Sequence, residues 1–269
     1  MHISKVIAEV DALLQAGEDA KAEESLREAV AECIEAEPDN IVGQSVLLNE
    51  LGGYYRSRGV FDKGEAAYLQ AKTLLEETRE HTGVVYDLAA GSGCCAHSAL
   101  NHDVPCCEDS NAEHQSHTEI PYANGSMTAN YATTLNNLAG LYRMCGQLQR
   151  AVDTFDAAIQ VYENCDKGVS PDYLASVYSN KGLVYLDMQN TDQARSMFLK
   201  AKEILERDGD YPFALGTTIS NLGFASVIDK RVPEAITLFQ AAKVLFEKAG
   251  NGDMVQNCEK LLSRLEAEQ

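Results

Sequence analysis

Eight side chains with metal-binding chemistry crowd into one short stretch of the chain. Cys94, Cys95, His97, His102, Cys106, Cys107, His114 and His117 lie within 24 residues, and they include half of the eight cysteines and four of the six histidines. Two Cys-Cys pairs with histidines between them and beyond them could close around a tetrahedral Zn²⁺. Thiolate with imidazole also suits Cu(I). Vicinal cysteines do not give the usual C-x2-C spacing, so one thiol of each pair would ligate while its neighbour stayed free. Two other outcomes are open: an acidic loop with unengaged thiols, or a disulfide formed on oxidation. The surrounding run, residues 83–126, is rich in Gly, Ser and Asn and contains Pro. It holds six acids and no Lys or Arg. The remaining cysteines, Cys33, Cys145, Cys165 and Cys258, read as small packing residues.

The rest of the chain is built on a repeat. LNELGGYY, LNNLAGLY, YSNKGLVY and ISNLGFAS share a small residue at one place: Gly52, Ala139, Gly182 and Gly223. Counting from these anchors, a small residue follows twelve later at Gly64, Ala151, Ala194 and Ala235. An aromatic follows sixteen later at Tyr68, Phe155, Phe198 and Phe239, and an alanine nineteen later at Ala71, Ala158, Ala201 and Ala242. Three after the anchor stand Tyr55, Tyr142 and Tyr185, with Ser226 in the last copy. Seven after it stand Gly59 and Gly146, replaced by Gln189 and Lys230 in the later copies. Val10, Gly17, Ala22, Leu26 and Ala29 repeat the offsets more faintly. Matched small residues let two antiparallel helices approach, and the aromatic fills the space toward the next pair. Apolar residues at helical spacing give each helix a buried face.

The anchors are 41 to 43 residues apart, except that 87 residues separate Gly52 from Ala139. The pattern predicts an all-α, right-handed solenoid of five helix–turn–helix pairs. Two pairs fall in residues 1–82 and three in 127–250, with a capping helix in 251–269. Residues 83–126 form a Cys/His-rich acidic insertion or a degenerate repeat.

These offsets resemble the tetratricopeptide repeat family over about residues 2–80 and 129–250. The period and the phrase TTLNNLAGLYRMCGQ are similar to the kinesin-light-chain type of repeat and its bacterial relatives. The resemblance implies a non-enzymatic scaffold that binds a protein or peptide segment in a concave groove lined by the first helix of each pair. It places Asn49, Arg56, Asn136, Asn137, Arg143, Asn180, Leu183, Asn221 and Phe224 on that groove. An Asn amide both donates and accepts, so it can clasp a peptide backbone. Arg56 and Arg143 would add bonds to a carboxylate. The alternative for the Asn residues is that they bond to neighbouring helices and fix the stacking. Glu50, Ser179 and Asp187 stand where the two-carboxylate clamp of chaperone-binding repeat domains needs cations, so that activity is not expected.

The formal net charge of −19, from 41 acids and 22 bases, argues against nucleic acid and anionic membrane surfaces as partners. The amphipathic N-terminus has no signal-peptide core, and no stretch nears about 18 apolar residues. A cytoplasmic location is the expectation. No phosphate loop, nucleophile elbow or HExxH occurs, so no catalytic residue is proposed. No cofactor is required by the repeats, and Zn or Cu in the insertion is the one metal expectation. A metal-binding or metal-sensing protein acting through residues 94–117 is the alternative function.

Overall fold

A computed structural model describes residues 2–82, 127–163 and 170–267. The eight candidate metal ligands and Cys165 lie outside the described residues. Eleven α-helices, and no strands, make up the regular structure of the described residues. They run as α1 (Ile3–Gln15), α2 (Asp19–Ala36), α3 (Ile41–Ser57), α4 (Phe61–Thr82), α5 (Met127–Met144) and α6 (Leu148–Glu163). After these come α7 (Pro171–Asp187), α8 (Thr191–Asp208), α9 (Pro212–Ile228), α10 (Val232–Lys248) and α11 (Gly252–Ala267). Helices α1–α6 belong to one compact unit and α7–α11 to a second.

The anchors act through contact distance. A Cβ added to Gly52 would stand 2.6 Å from the Tyr68 ring, and one on Gly182 would stand 2.5 Å from the Phe198 ring. On Gly223 it would stand 2.9 Å from Phe239. Each ring therefore lies directly on the backbone of the preceding helix. Tyr68, Phe155, Phe198 and Phe239 are fully buried, as are Ala71, Ala158, Ala201 and Ala242 behind them. Burying one such ring is worth roughly 1.5–3 kcal/mol. In the N-terminal pair Leu26 takes the aromatic's place and is equally buried. It packs with Ile3, Ile7 and Val10, which the three-and-four spacing puts on one face of α1.

The turn inside each pair is the same object five times over. Gly17, Gly59, Gly146, Gln189 and Lys230 all hold φ between 59° and 72°. The next residue's amide then reaches back to the carbonyl five before it, as in Val60 to Tyr55 at 2.9 Å and Arg231 to Ser226 at 2.8 Å. This closes the helix with the left-handed cap that usually selects Gly. Two copies adopt it without Gly.

In the second unit, α11 closes against α10. Leu265 packs with Ala235 and Phe239, with Leu261 and Leu262 partly buried beside them. Lys243 of α10 pairs with Glu259 of α11 at 2.6 Å.

Candidate binding faces of the first helices

The first helices of successive pairs lie side by side, α3 against α5 in the first unit and α7 against α9 in the second. The candidate groove residues therefore come together within each unit, in two chemically different sets.

In the first unit the set is polar and largely committed to stacking. Asn49 keeps only 8% of its surface exposed. Its Nδ2 donates to the Ser45 carbonyl and to Thr134 Oγ1, both at 2.8 Å. Its Oδ1 accepts from Asn137 Nδ2 at 3.3 Å. One amide thus ties α3 to α5. Arg56 is buried at 4% exposure, whereas Asn136, Asn137 and Arg143 are half-buried. Among Asn49, Arg56, Asn136, Asn137 and Arg143, the more accessible side chains belong to α5.

The second unit repeats the stacking bond and changes the rest. Ser179 Oγ and Thr218 Oγ1 are 3.2 Å apart at the positions of Asn49 and Thr134. Both threonines sit five before an anchor, in TTLNNL and TTISNL, which is a sequence signal for this bridge. Asn180 and Asn221 are half-buried. Leu183 and Leu186 of α7 pack, partly buried, against the cluster containing Leu222 and Ala225 of α9. On α9, Phe224, Val227 and Ile228 remain 40%, 37% and 53% exposed. The Phe224 ring meets the buried Phe239 ring edge-on at 5.1 Å between centroids, so its position is fixed although its outer side faces solvent. This gives a face with amides at one end and large apolar groups at the other. Ile228 was not singled out by the repeat pattern; it extends the patch one position beyond Val227.

In the first unit a second recurring feature joins each pair to the one before it. Tyr55 donates to Glu23 Oε1 at 2.8 Å, and Lys63 Nζ reaches the same oxygen at 3.3 Å. Tyr142 donates to Glu65 Oε1 at 3.0 Å, and Arg150 Nη2 bonds both Tyr142 Oη at 2.8 Å and Glu65 Oε1 at 3.1 Å. The cations also lie over the rings, 4.9 Å from the centroid for Lys63 and 4.0 Å for Arg150. Burial, reinforced by the bond to Glu23, pushes the Tyr55 phenol up to about 12. Burial and the bond to Glu65 do the same for Tyr142, again to about 12. The Tyr55 hydroxyl above all, with Lys63, holds the Glu23 carboxyl below the usual carboxylate value.

The described thiols are placed for packing. Cys33 and Cys258 are buried, Cys145 is half-buried, and all three are free. Burial raises each of them, which disfavours the reactive thiolate. Among the described residues no three His, Cys, Asp or Glu side chains converge on a possible metal position. No helix of the described residues is long and apolar enough to cross a membrane.

The tetratricopeptide repeat model matches residues 130–207. Protein Kinesin Light Chain-Related 2 of Arabidopsis thaliana is 23% identical over 205 residues, which cover 74% of this chain and 29% of that protein. The chain thus spans well under half of that relative. A putative kinesin light chain of Podosopora anserina, with nearly identical TPR-like repeats, superposes with a TM-score of 0.58 at 14% identity, covering 92% of this chain and 96% of that one. BtubC (BKLC) from P. vanneervenii does so with a TM-score of 0.54 at 14% identity, covering 100% of this chain and 92% of that one. The fold is that of the tetratricopeptide-repeat solenoids. Within that class, the chain's repeats are of the type resembling kinesin light chain.

Proposed function

We propose that this chain is a non-enzymatic scaffold that captures a peptide or protein segment on the solvent face of its first helices. Tetratricopeptide-repeat folds serve protein–protein interaction in general, which supports the coarse reading. The finer reading rests on one observation: Phe224, Val227 and Ile228 stand exposed on α9 next to half-buried Asn221. Three large apolar side chains held on rigid helix beside amide groups fit the chemistry of a peptide site. The apolar groups take side chains, and Asn180 and Asn221 bond the peptide backbone.

The α5 residues Asn136, Asn137 and Arg143 are a polar counterpart in the first unit. Arg143 would bond a carboxylate. Asn49 contributes by fixing α5 against α3.

Selection of a displayed random-peptide library against the full chain tests this reading. Enriched peptides should carry large apolar residues, and their binding should fall at least tenfold on Phe224→Ser or on Asn180→Ala with Asn221→Ala. Undiminished binding to both variants, each folded, would remove the α7–α9 face from consideration.

A further inference from the structure

The bonds between neighbouring pairs occur in two forms with opposite charge. In the first unit the preceding pair supplies an acid thirteen residues after its anchor: Glu23 for the Val10 pair and Glu65 for the Gly52 pair. The following pair supplies a tyrosine three after its anchor and a cation eleven after it: Tyr55 with Lys63, and Tyr142 with Arg150. In the second unit the same three places hold Arg195, Ser226 and Glu234.

The geometry survives this exchange. Arg195 Nη1 donates to Glu234 Oε1 at 2.9 Å, and its Nη2 donates to Ser226 Oγ at 3.0 Å. Ser226 Oγ itself donates to the Leu222 carbonyl at 2.9 Å. Acid and cation have traded sides. The hydroxyl has changed from donor toward a carboxylate to acceptor from a guanidinium. Size is traded as well: the long Arg195 replaces a short Glu, and the small Ser226 replaces Tyr. Asp229, 3.7 Å from Arg195, adds a second acid to the inverted set.

We infer that this three-residue clasp is a pairing code that separates the two forms, so that a helix pair carrying one form rejects a neighbour carrying the other. A matched set brings opposite charges and a satisfied hydroxyl together. A mixed set brings Glu65 against Glu, or Arg195 against a cation, and leaves the bulk wrong. Discrimination then comes from repulsion in the wrong pairing as much as from attraction in the right one. The anchors and rings are nearly the same in every copy and cannot supply such discrimination.

The test rewrites one clasp in the full-length chain. Glu65 and Arg150 keep 26% and 55% of their side-chain surface exposed, so single changes there leave the core intact. Glu65→Arg and Arg150→Glu should each lower the urea midpoint of helix loss. The triple variant Tyr142→Ser, Glu65→Arg, Arg150→Glu, which installs the inverted set, should recover most of the loss. Glu65→Arg with Lys260→Glu, the second change at an exposed α11 position, makes the same net change in charge away from the clasps and should recover none. A triple variant whose loss is no smaller than the summed losses of Glu65→Arg, Arg150→Glu and Tyr142→Ser measured singly overturns the code. Equal recovery by the control would reduce it to a net-charge effect and overturn it as well.

Discussion

Asn49 on α3 donates to Thr134 on α5 across 85 residues of sequence, at 2.8 Å, and the bond is buried. Ser179 and Thr218 make the corresponding contact between α7 and α9. A face that looks like a ligand-binding ladder of amides therefore begins with a bond that holds the helices in register.

Removing that bond should cost stability. Asn49→Ala leaves Thr134 Oγ1 and Asn137 without their buried partner, and a loss of about 1–3 kcal/mol is expected. Urea denaturation followed by circular dichroism measures it. A loss within error of zero would mean that the amide stands free for a ligand. Ser179→Ala should cost less, because the 3.2 Å contact between two hydroxyls is the longer of the two bridges.

Gln189 and Lys230 hold φ of 59° and 60° in turns where Gly17, Gly59 and Gly146 hold 71° to 72°. The left-handed region is costly for side chains with a Cβ. Gln189→Gly and Lys230→Gly should each raise stability by about 0.5–1 kcal/mol, the gain being trimmed by the added freedom of Gly in the unfolded chain. Thermal midpoints of the two variants decide it; a decrease in both would show that the side chains make bonds that outweigh the strain.

Gly182→Val should destabilise by about 1–3 kcal/mol through overpacking against the buried Phe198 ring. A Cβ already falls 2.5 Å from that ring, and two further methyls cannot be absorbed by the far end of a flexible chain. Gly59→Val makes a useful contrast: no atom lies within 4 Å of a Cβ there, and the cost would be one of backbone conformation alone. The Gly182 variant should lose near-ultraviolet dichroism, while the Gly59 variant keeps it.

The tyrosine clasps predict how stability changes with pH. Tyr55 and Tyr142 are raised from 10.0 to about 12, so the folded state favours the neutral phenol. Their contribution is complete below pH 10 and is lost as pH rises toward 12. The stability advantage of the native chain over Tyr55→Phe with Tyr142→Phe should shrink across that window. Glu23 works at the other end. Its carboxyl is lowered from 4.5, so its contribution is present above that value and disappears as pH falls through the folded value. Glu23→Gln should flatten the acid limb, as followed by urea midpoints at a series of pH values.

Much of this architecture is legible in the residues themselves, because its determinants are local. Anchor, small residue, ring and alanine recur at fixed offsets, and the structure puts Gly52 on Tyr68 and Gly182 on Phe198 as those offsets require. The clasps are harder to see. Tyr55 and Glu23 belong to different pairs, so the relation shows only when copies are aligned and positions three, eleven and thirteen are compared across neighbours. Ser226 looks like a lost tyrosine until Arg195 is set beside it. The amide ladder was ambiguous for a different reason. Asn serves a peptide backbone and a neighbouring helix with the same groups, and only the distance from Asn49 to Thr134 assigns the first Asn to the neighbouring helix. The Cys/His run from Cys94 to His117 lies outside the described residues, and its metal chemistry stands as an expectation from composition.

The five elbows described above share one backbone path whether or not glycine stands at the bend. Their shape is thus an output of the helices they join, which clamp the elbow from both sides. A loop of that kind is a poor hinge and a tolerant site for sequence drift. Grafted tags or reporter side chains at Gln189 or Lys230 would ride on a platform whose orientation the packing has already set.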